Sequence, residues 1–271
     1  MNLTADDLDW LKTYAADVTD TFAREFGAAI DRFKEGQILL DRFNATIESV
    51  VKSGRAHFSS VDEAHNELCM ASAVLGNGAL KFSRLQYEPT LPGCARTIDS
   101  RAYAENGETV YVDVKTIKPQ SKDRWDQFEK ANKEGWFPEN VIVGISEEWM
   151  GGEIWHSWFA ARGRMLEYTL ELERKIAEGK LAAKNTGFIL ALCGDGFLWR
   201  EDALEDFVSF YRSGAHRADD SFAQIEQKYI AGKQISLART ISYFAYMKRK
   251  QGEIRHNRLN WNVRPPRDPF A

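Results

Sequence analysis

The sequence predicts an α/β fold in which a mixed sheet is flanked by helices, with helical segments before and after it. Three observations carry this. Apolar residues recur at three- and four-residue steps over the first 75 or so positions. Between Leu80 and Ile117 the period drops to two. A helix-period stretch over 157–178 is then followed by an uninterrupted apolar run, Phe188 to Cys193, the pattern of a strand buried on both faces. A chain of 271 residues with 44% hydrophobic, 28% charged and 12% aromatic residues has a globular composition, long enough to bury about three quarters of its unfolded surface.

Thr4 to Phe33 reads as the first helix, with Leu8, Leu11, Ala15, Val18, Phe22, Phe26, Ala29 and Phe33 on one side and Thr4 placed to cap it. The second carries Leu39, Phe43, Ile47, Val50 and Val51 and ends at Gly54. Ser60-Val61-Asp62-Glu63 forms a capping box that starts the third at about residue 61, with Glu67 on its second turn. Leu80–Glu88, Thr97–Ala104 and Glu108–Ile117 read as strands. Trp158, Arg162, Met165, Thr169, Leu172 and Ile176 mark a long helix that Gly179 terminates, and Thr186–Cys193 is the further strand. From Asp202 onward the pattern reads mostly helical. No linker-like composition divides the chain, so one domain is expected: a helical extension over 1–58, a core over 59–200 with a Trp-rich insertion at 120–156, and a helical basic extension over 201–271.

Composition also excludes. Cys69, Cys94 and Cys193 are too few and too scattered for a disulfide framework or a CxxC site. The five histidines lack zinc spacing and read as surface or capping residues, and no GxxxxGK[ST] is present. The first ten residues are acidic, unlike a signal peptide, and no apolar run is long enough to span a bilayer. A cytoplasmic protein is the expectation. Net charge is −4, yet residues 1–50 carry −5 while 239–271 carry +6. Lys248, Arg249, Lys250, Arg255 and Arg258 in that basic stretch are the candidate contacts to a polyanion, with Tyr243, Phe244, Tyr246 and Trp261 interleaved.

The chemistry is expected between Thr97 and Lys115. A three-residue loop, Glu105-Asn106-Gly107, with Gly in the left-handed position pairs Ile98 with Val114, Ser100 with Val112 and Ala102 with Val110. Asp99 then lies directly opposite Asp113, with Lys115 on the same face. Opposed carboxylates, roughly 5 Å apart at Cβ, repel, and a cation between them offsets that cost. Hard oxygen donors suit Mg²⁺ or Mn²⁺. An ammonium beside them can orient a nucleophilic water and offset phosphoryl charge, which is apparatus for phosphodiester hydrolysis. Two other acid-x-Lys triplets, Glu173-Arg174-Lys175 and Glu226-Gln227-Lys228, lie in helical patterns, where i and i+2 diverge. They serve as internal negative controls.

Ile98-Asp99, thirteen residues, then Asp113-Val114-Lys115 on a hairpin resembles the PD-(D/E)xK nuclease superfamily, with Ile98 where a Pro is usual. The resemblance covers about residues 60–195 and implies a restriction-endonuclease-like αβββαβ core. It implies Asp99 and Asp113 as metal ligands, the Val114 carbonyl as a further ligand, Lys115 as water-positioning group and Glu67 as an outer or second-metal ligand. The expected activity is that of a Mg²⁺-dependent deoxyribonuclease, preferably an endonuclease, leaving a 5′-phosphate; RNA as substrate and a homodimer stay open. The alternatives are a non-catalytic nucleic-acid-binding module on the same fold, and a helical interaction protein with an exposed apolar stripe along Leu8 to Phe33.

Overall fold

A computed structural model describes residues 2–30, 34–55, 58–75, 81–116, 161–194, 201–213, 237–248 and 260–263. The chain opens with α1 (Ala5–Ile30), α2 (Lys34–Ser53) and α3 (Phe58–Leu75). Thr4 caps α1 as its position suggests. The Asp7 amide donates to Thr4 Oγ1 (3.2 Å) and the Thr4 amide donates to Asp7 Oδ2 (2.8 Å), so two otherwise orphaned donors are satisfied reciprocally. α3 begins at Phe58, so Ser60 sits inside its first turn rather than ahead of it.

The strands are β1 (Phe82–Tyr87), β2 (Ser100–Ala104), β3 (Thr109–Thr116), β4 (Thr186–Gly194), β5 (Tyr243–Lys248) and β6 (Asn260–Val263), with α4 (Ala161–Glu178) and α5 (Glu201–Ser213) between them in sequence. They form one sheet in the order β1-β2-β3-β4-β5-β6. The β1–β2, β2–β3 and β5–β6 pairs are antiparallel; β3–β4 and β4–β5 are parallel. The class is α/β with a mixed sheet. In the C-terminal part α5 is helical as expected, and the described residues beyond it depart from that expectation. Past α5 the chain contributes two strands, because Tyr243, Phe244 and Ala245 are β-formers and small residues buried on both sides of the sheet. The insertion at 120–156 lies outside the described residues.

Each face of the sheet has its own core. Leu11, Val18 and Phe22 of α1, Leu39, Phe43 and Ile47 of α2, and Val61, Leu68 and Met70 of α3 pack with Ala102, Val110, Val112, Ile189 and Ala191. Leu11, Val18 and Phe22 of the α1 stripe are thus spent on the core; the side chains of Phe26, Ala29 and Phe33 lie outside those described. On the other face Met165, Leu172 and Ile176 of α4 and Phe207 and Tyr211 of α5 pack with Tyr111, Phe188, Leu190, Leu192 and Phe244. The alternation along β4 serves both cores, as its unbroken apolar run requires. None of the three cysteines is in a disulfide. His65 is buried with its Nε2 3.1 Å from Cys69 Sγ, so it is neither a surface nor a capping residue. Among the described residues no helix is long and apolar enough to cross a membrane.

The end of α4 fixes how that helix returns to the sheet. The Leu181 amide donates to the Ile176 carbonyl (3.0 Å) and the Lys180 amide to the Ala177 carbonyl (3.2 Å), with Lys180 at φ +50°. This is a Schellman cap in which Lys180, not Gly179, takes the left-handed conformation, and buried Leu181 shares the core of Ile176. Gly179 is needed for space instead: a Cβ there would lie 3.0 Å from Leu181 Cγ and 3.1 Å from the Lys175 carbonyl.

Candidate metal centre

The hairpin turns where the sequence places it. Gly107 has φ +85°, the Ala104 amide donates to the Glu108 carbonyl (2.8 Å), and the Gly107 amide donates to the Ala104 carbonyl (3.1 Å). Ser100 pairs with Val112, Arg101 with Tyr111 and Ala102 with Val110. The ladder then changes character. The Val114 amide donates to Asp99 Oδ2 (2.6 Å), while the Asp99 carbonyl accepts from the Glu88 amide (2.8 Å). The Asp99 carboxylate takes the place a backbone carbonyl would hold. Ile98 therefore does not pair with Val114 but is buried in the α4–α5 core. In a strand the N–H and C=O of one residue point the same way, so the Val114 carbonyl also faces the Asp99 side.

Asp113 and Lys115 share the face covered by α4. Asp113 is fully buried. Lys175 Nζ donates to Asp113 Oδ1 at 2.8 Å, and Lys115 Nζ lies 3.3 Å from Asp113 Oδ2. Glu171, one turn before Lys175 on α4, lies 3.4 Å from Lys115 Nζ and 3.5 Å from Lys175 Nζ. Sequence reasoning missed Lys175 and Glu171. Their signal was an i,i+4 acid–base pair flanking the Leu172 and Ile176 stripe of a helix that must lie back over β3 and β4. The divergence argument was sound, since Glu173 faces elsewhere, but it did not make Lys175 inert.

Burial lifts the Asp99 carboxyl from its ordinary 3.8 to about 7, helped by repulsion from Asp113 and then Glu67, against the Val114 amide and Lys115. Burial alone would lower Lys115, yet Asp113, Glu171 and Asp99 together hold it above the usual lysine range. Burial would raise Glu171, but Lys115 and Lys175 bring it below the usual carboxylate range. Glu67 is raised, by burial first, against the pull of Arg42. Arg42 of α2 forms an ion pair with Glu67 and also contacts the Tyr87 hydroxyl. The α3 end of the site is further tied to β3, where Asn66 Nδ2 donates to Thr116 Oγ1 (2.8 Å).

The structure thus brings Asp99, Asp113, Lys115 and Glu67 into one electrostatic neighbourhood, with Glu67 engaged by Arg42. Among the described residues no group of three or more His, Cys, Asp and Glu is arranged around one ion. The donors nevertheless fit a hard divalent cation held through one or two carboxylates and completed by water. Asp113 Oδ2 is buried without a hydrogen bond, its nearest charge being the Lys115 ammonium at 3.3 Å; Asp99 is near enough to repel Asp113, and the Val114 carbonyl points to the Asp99 side. Of the expected nucleic-acid contacts, Lys248 closes β5 opposite Gly194; Arg249, Lys250, Arg255 and Arg258 lie outside the described residues.

The raised Asp99 carries a stability consequence. Between about pH 4 and 7 the folded chain keeps a proton that the unfolded chain has released. Stability from this group is fullest below about pH 4 and is lost as pH rises through about 7. In EDTA, Asp99→Asn should remove that slope and raise Tm at neutral pH, since the amide oxygen can still accept from Val114. Thermal unfolding of both proteins across pH checks this; parallel Tm profiles would contradict it.

No protein-family model, curated protein or solved structure matches this chain.

Proposed function

We propose that this chain is a divalent-metal-dependent deoxyribonuclease of the PD-(D/E)xK type, with Asp99 and Asp113 holding the ion. The observation that carries the reading is the proximity of buried Asp113, half-buried Asp99 and Lys115 where the chain enters β2 and leaves β3, with Asp113 Oδ2 held only by the Lys115 ion pair and no hydrogen bond. The element order α3-β1-β2-β3-α4-β4 supports a restriction-endonuclease-like core.

Asp99, Asp113 and the Val114 carbonyl would hold Mg²⁺ or Mn²⁺. When bound, the ion supplies polarisation of a phosphoryl oxygen and a nucleophilic water at neutral pH. The chain does the rest. Lys175 fixes the rotamer of Asp113 from behind. Glu171 keeps both lysine ammonium groups in place. Lys115, one-fifth exposed, orients the attacking water and offsets charge on the phosphoryl oxygens.

The test is supercoiled plasmid incubated with the protein in Mg²⁺, in Mn²⁺ and in EDTA over about pH 6 to 8. Cleavage is expected with either metal and none in EDTA. The rate should fall toward the acid end of that range, because the proton that Asp99 holds there competes with the cation for the same carboxylate. Cleavage that persists in EDTA would overturn the reading. The second reading is a non-catalytic nucleic-acid-binding module, favoured by Lys175, whose ammonium already sits on Asp113. Its signature is metal-independent binding without cleavage.

A further inference from the structure

Two arginines stand beside this site with no carboxylate partner among the described residues. Arg84 of β1 lies opposite Tyr103 of β2, and Gln86 lies opposite Arg101. Arg101 in turn lies opposite Tyr111, so these side chains share the sheet face of Asp113 and Lys115. Both guanidinium groups rest on one ring: Arg84 is 4.9 Å and Arg101 5.0 Å from the Tyr103 centroid, and Arg101 is 5.7 Å from that of Tyr111. Arg101 also donates to the Tyr111 hydroxyl (3.2 Å) and to Gln86 Oε1 (2.5 Å), while its buried Nε has no partner. Among the described residues neither arginine meets a carboxylate, and Arg84 is exposed.

Two like charges sharing a ring repel one another. Attraction to the ring recovers part of that cost; exposed Arg84 keeps its donors for a phosphate, and Arg101, held by Tyr111 and Gln86, keeps the remaining N–H of each terminal nitrogen. Arg101 is two residues from Asp99. From Asp99 to Tyr103 the strand runs about 13 Å, close to the axial rise of four nucleotides in one strand of a duplex. α4 and α5, the helices on this face, pack over β4 and β5.

We propose that Arg84, Arg101 and Tyr103 form a phosphate-binding track that seats the nucleic-acid backbone leading to the candidate metal centre. The proposal rests on the nuclease reading for the identity of the polyanion. It places backbone contact on the β1–β2 face, independently of the basic C-terminal segment.

The test is titration of a fluorescent duplex oligonucleotide with the full chain in EDTA across a salt series, using wild type, Arg84→Ala, Arg84→Lys and Arg101→Gln. Arg84→Ala removes an exposed side chain with no hydrogen bond, so the fold is not at risk. It should weaken binding about tenfold and flatten the log–log salt slope by about one unit. Arg101→Gln should do the same, and Arg84→Lys should keep the slope. Curves for Arg84→Ala and Arg101→Gln that superimpose on wild type would overturn the proposal. So would Arg84-dependent binding of orthophosphate alone, by calorimetry, with duplex affinity unchanged. Plasmid cleavage in Mg²⁺ separates the two readings. Cleavage by wild type with arginine-independent binding rejects only the track. Arginine-dependent binding by a wild type that never cleaves supports the track and rejects the nuclease.

Discussion

Asp113→Asn should lower metal-dependent plasmid cleavage by about a thousandfold or more, on the order of 4 kcal/mol in the barrier. It should also lower stability. Asp113 is fully buried, and Lys175, nearly as buried, has its ammonium 2.8 Å away. Removing one member of a buried ion pair leaves the other charge uncompensated. Asn keeps one oxygen for Lys175 and Glu171 remains nearby, so the loss is expected to be about 2–3 kcal/mol rather than the full 3–5. Lys115→Ala separates chemistry from fold. Lys115 is partly exposed and its contacts to Asp113 and Glu171 are longer, so the variant should lose cleavage with a much smaller change in Tm. Plasmid cleavage and thermal unfolding on the same preparations check both. Full activity in Asp113→Asn would remove it from the site.

Glu173→Gln should be among the most destabilising single substitutions in α4. Glu173 is buried and accepts from the Tyr211 hydroxyl (2.6 Å) and from the Arg239 (2.6 Å) and Ala238 (2.8 Å) amides. Tyr211 is itself fully buried; its hydroxyl accepts from the Ile241 amide (3.0 Å), and the Arg239 side chain donates to its carbonyl (2.8 Å). One carboxylate therefore joins α4, α5 and the segment entering β5. Gln replaces one acceptor oxygen with an NH₂ that meets an existing donor, at a cost of about 3 kcal/mol. Urea unfolding should show the midpoint fall with m unchanged. A change within about 0.5 kcal/mol would contradict this role. Glu173 therefore cannot serve as an inert control: a loss of activity in that variant would follow from unfolding. Glu226→Gln is no substitute, since Glu226 lies outside the described residues.

The hairpin was the most legible part of the chain. Strand alternation and the Gly107 turn together leave one register, and a slip of a single residue would invert every side chain. The double-faced burial of β4 was legible for the same reason. The surroundings of Asp113 were not. Local pattern says which face of β3 Asp113 occupies, but whether that face is wet depends on where α4 lies, a long-range packing outcome. Glu171 and Lys175 sit 58 and 62 positions from Asp113, and no local pattern ties them to it. The strands β5 and β6 were hidden by their aromatic and basic composition, where short apolar runs fit either period. Arg42 was obscured by the acidity of the segment that holds it. Net charge describes a segment, and a single inward-facing arginine is invisible to it.

The central claim is that Asp99 and Asp113 jointly hold one divalent cation. Titration of Mn²⁺ into metal-free protein by isothermal calorimetry, at a pH above about 8 so that Asp99 is ionised, tests it most directly. Wild type should bind one Mn²⁺ per chain, and Asp113→Asn, still folded by circular dichroism, should lose that site. An Asp113→Asn isotherm that overlays the wild type, or a wild type with no binding heat and no Mn²⁺ retained on equilibrium dialysis, would contradict it.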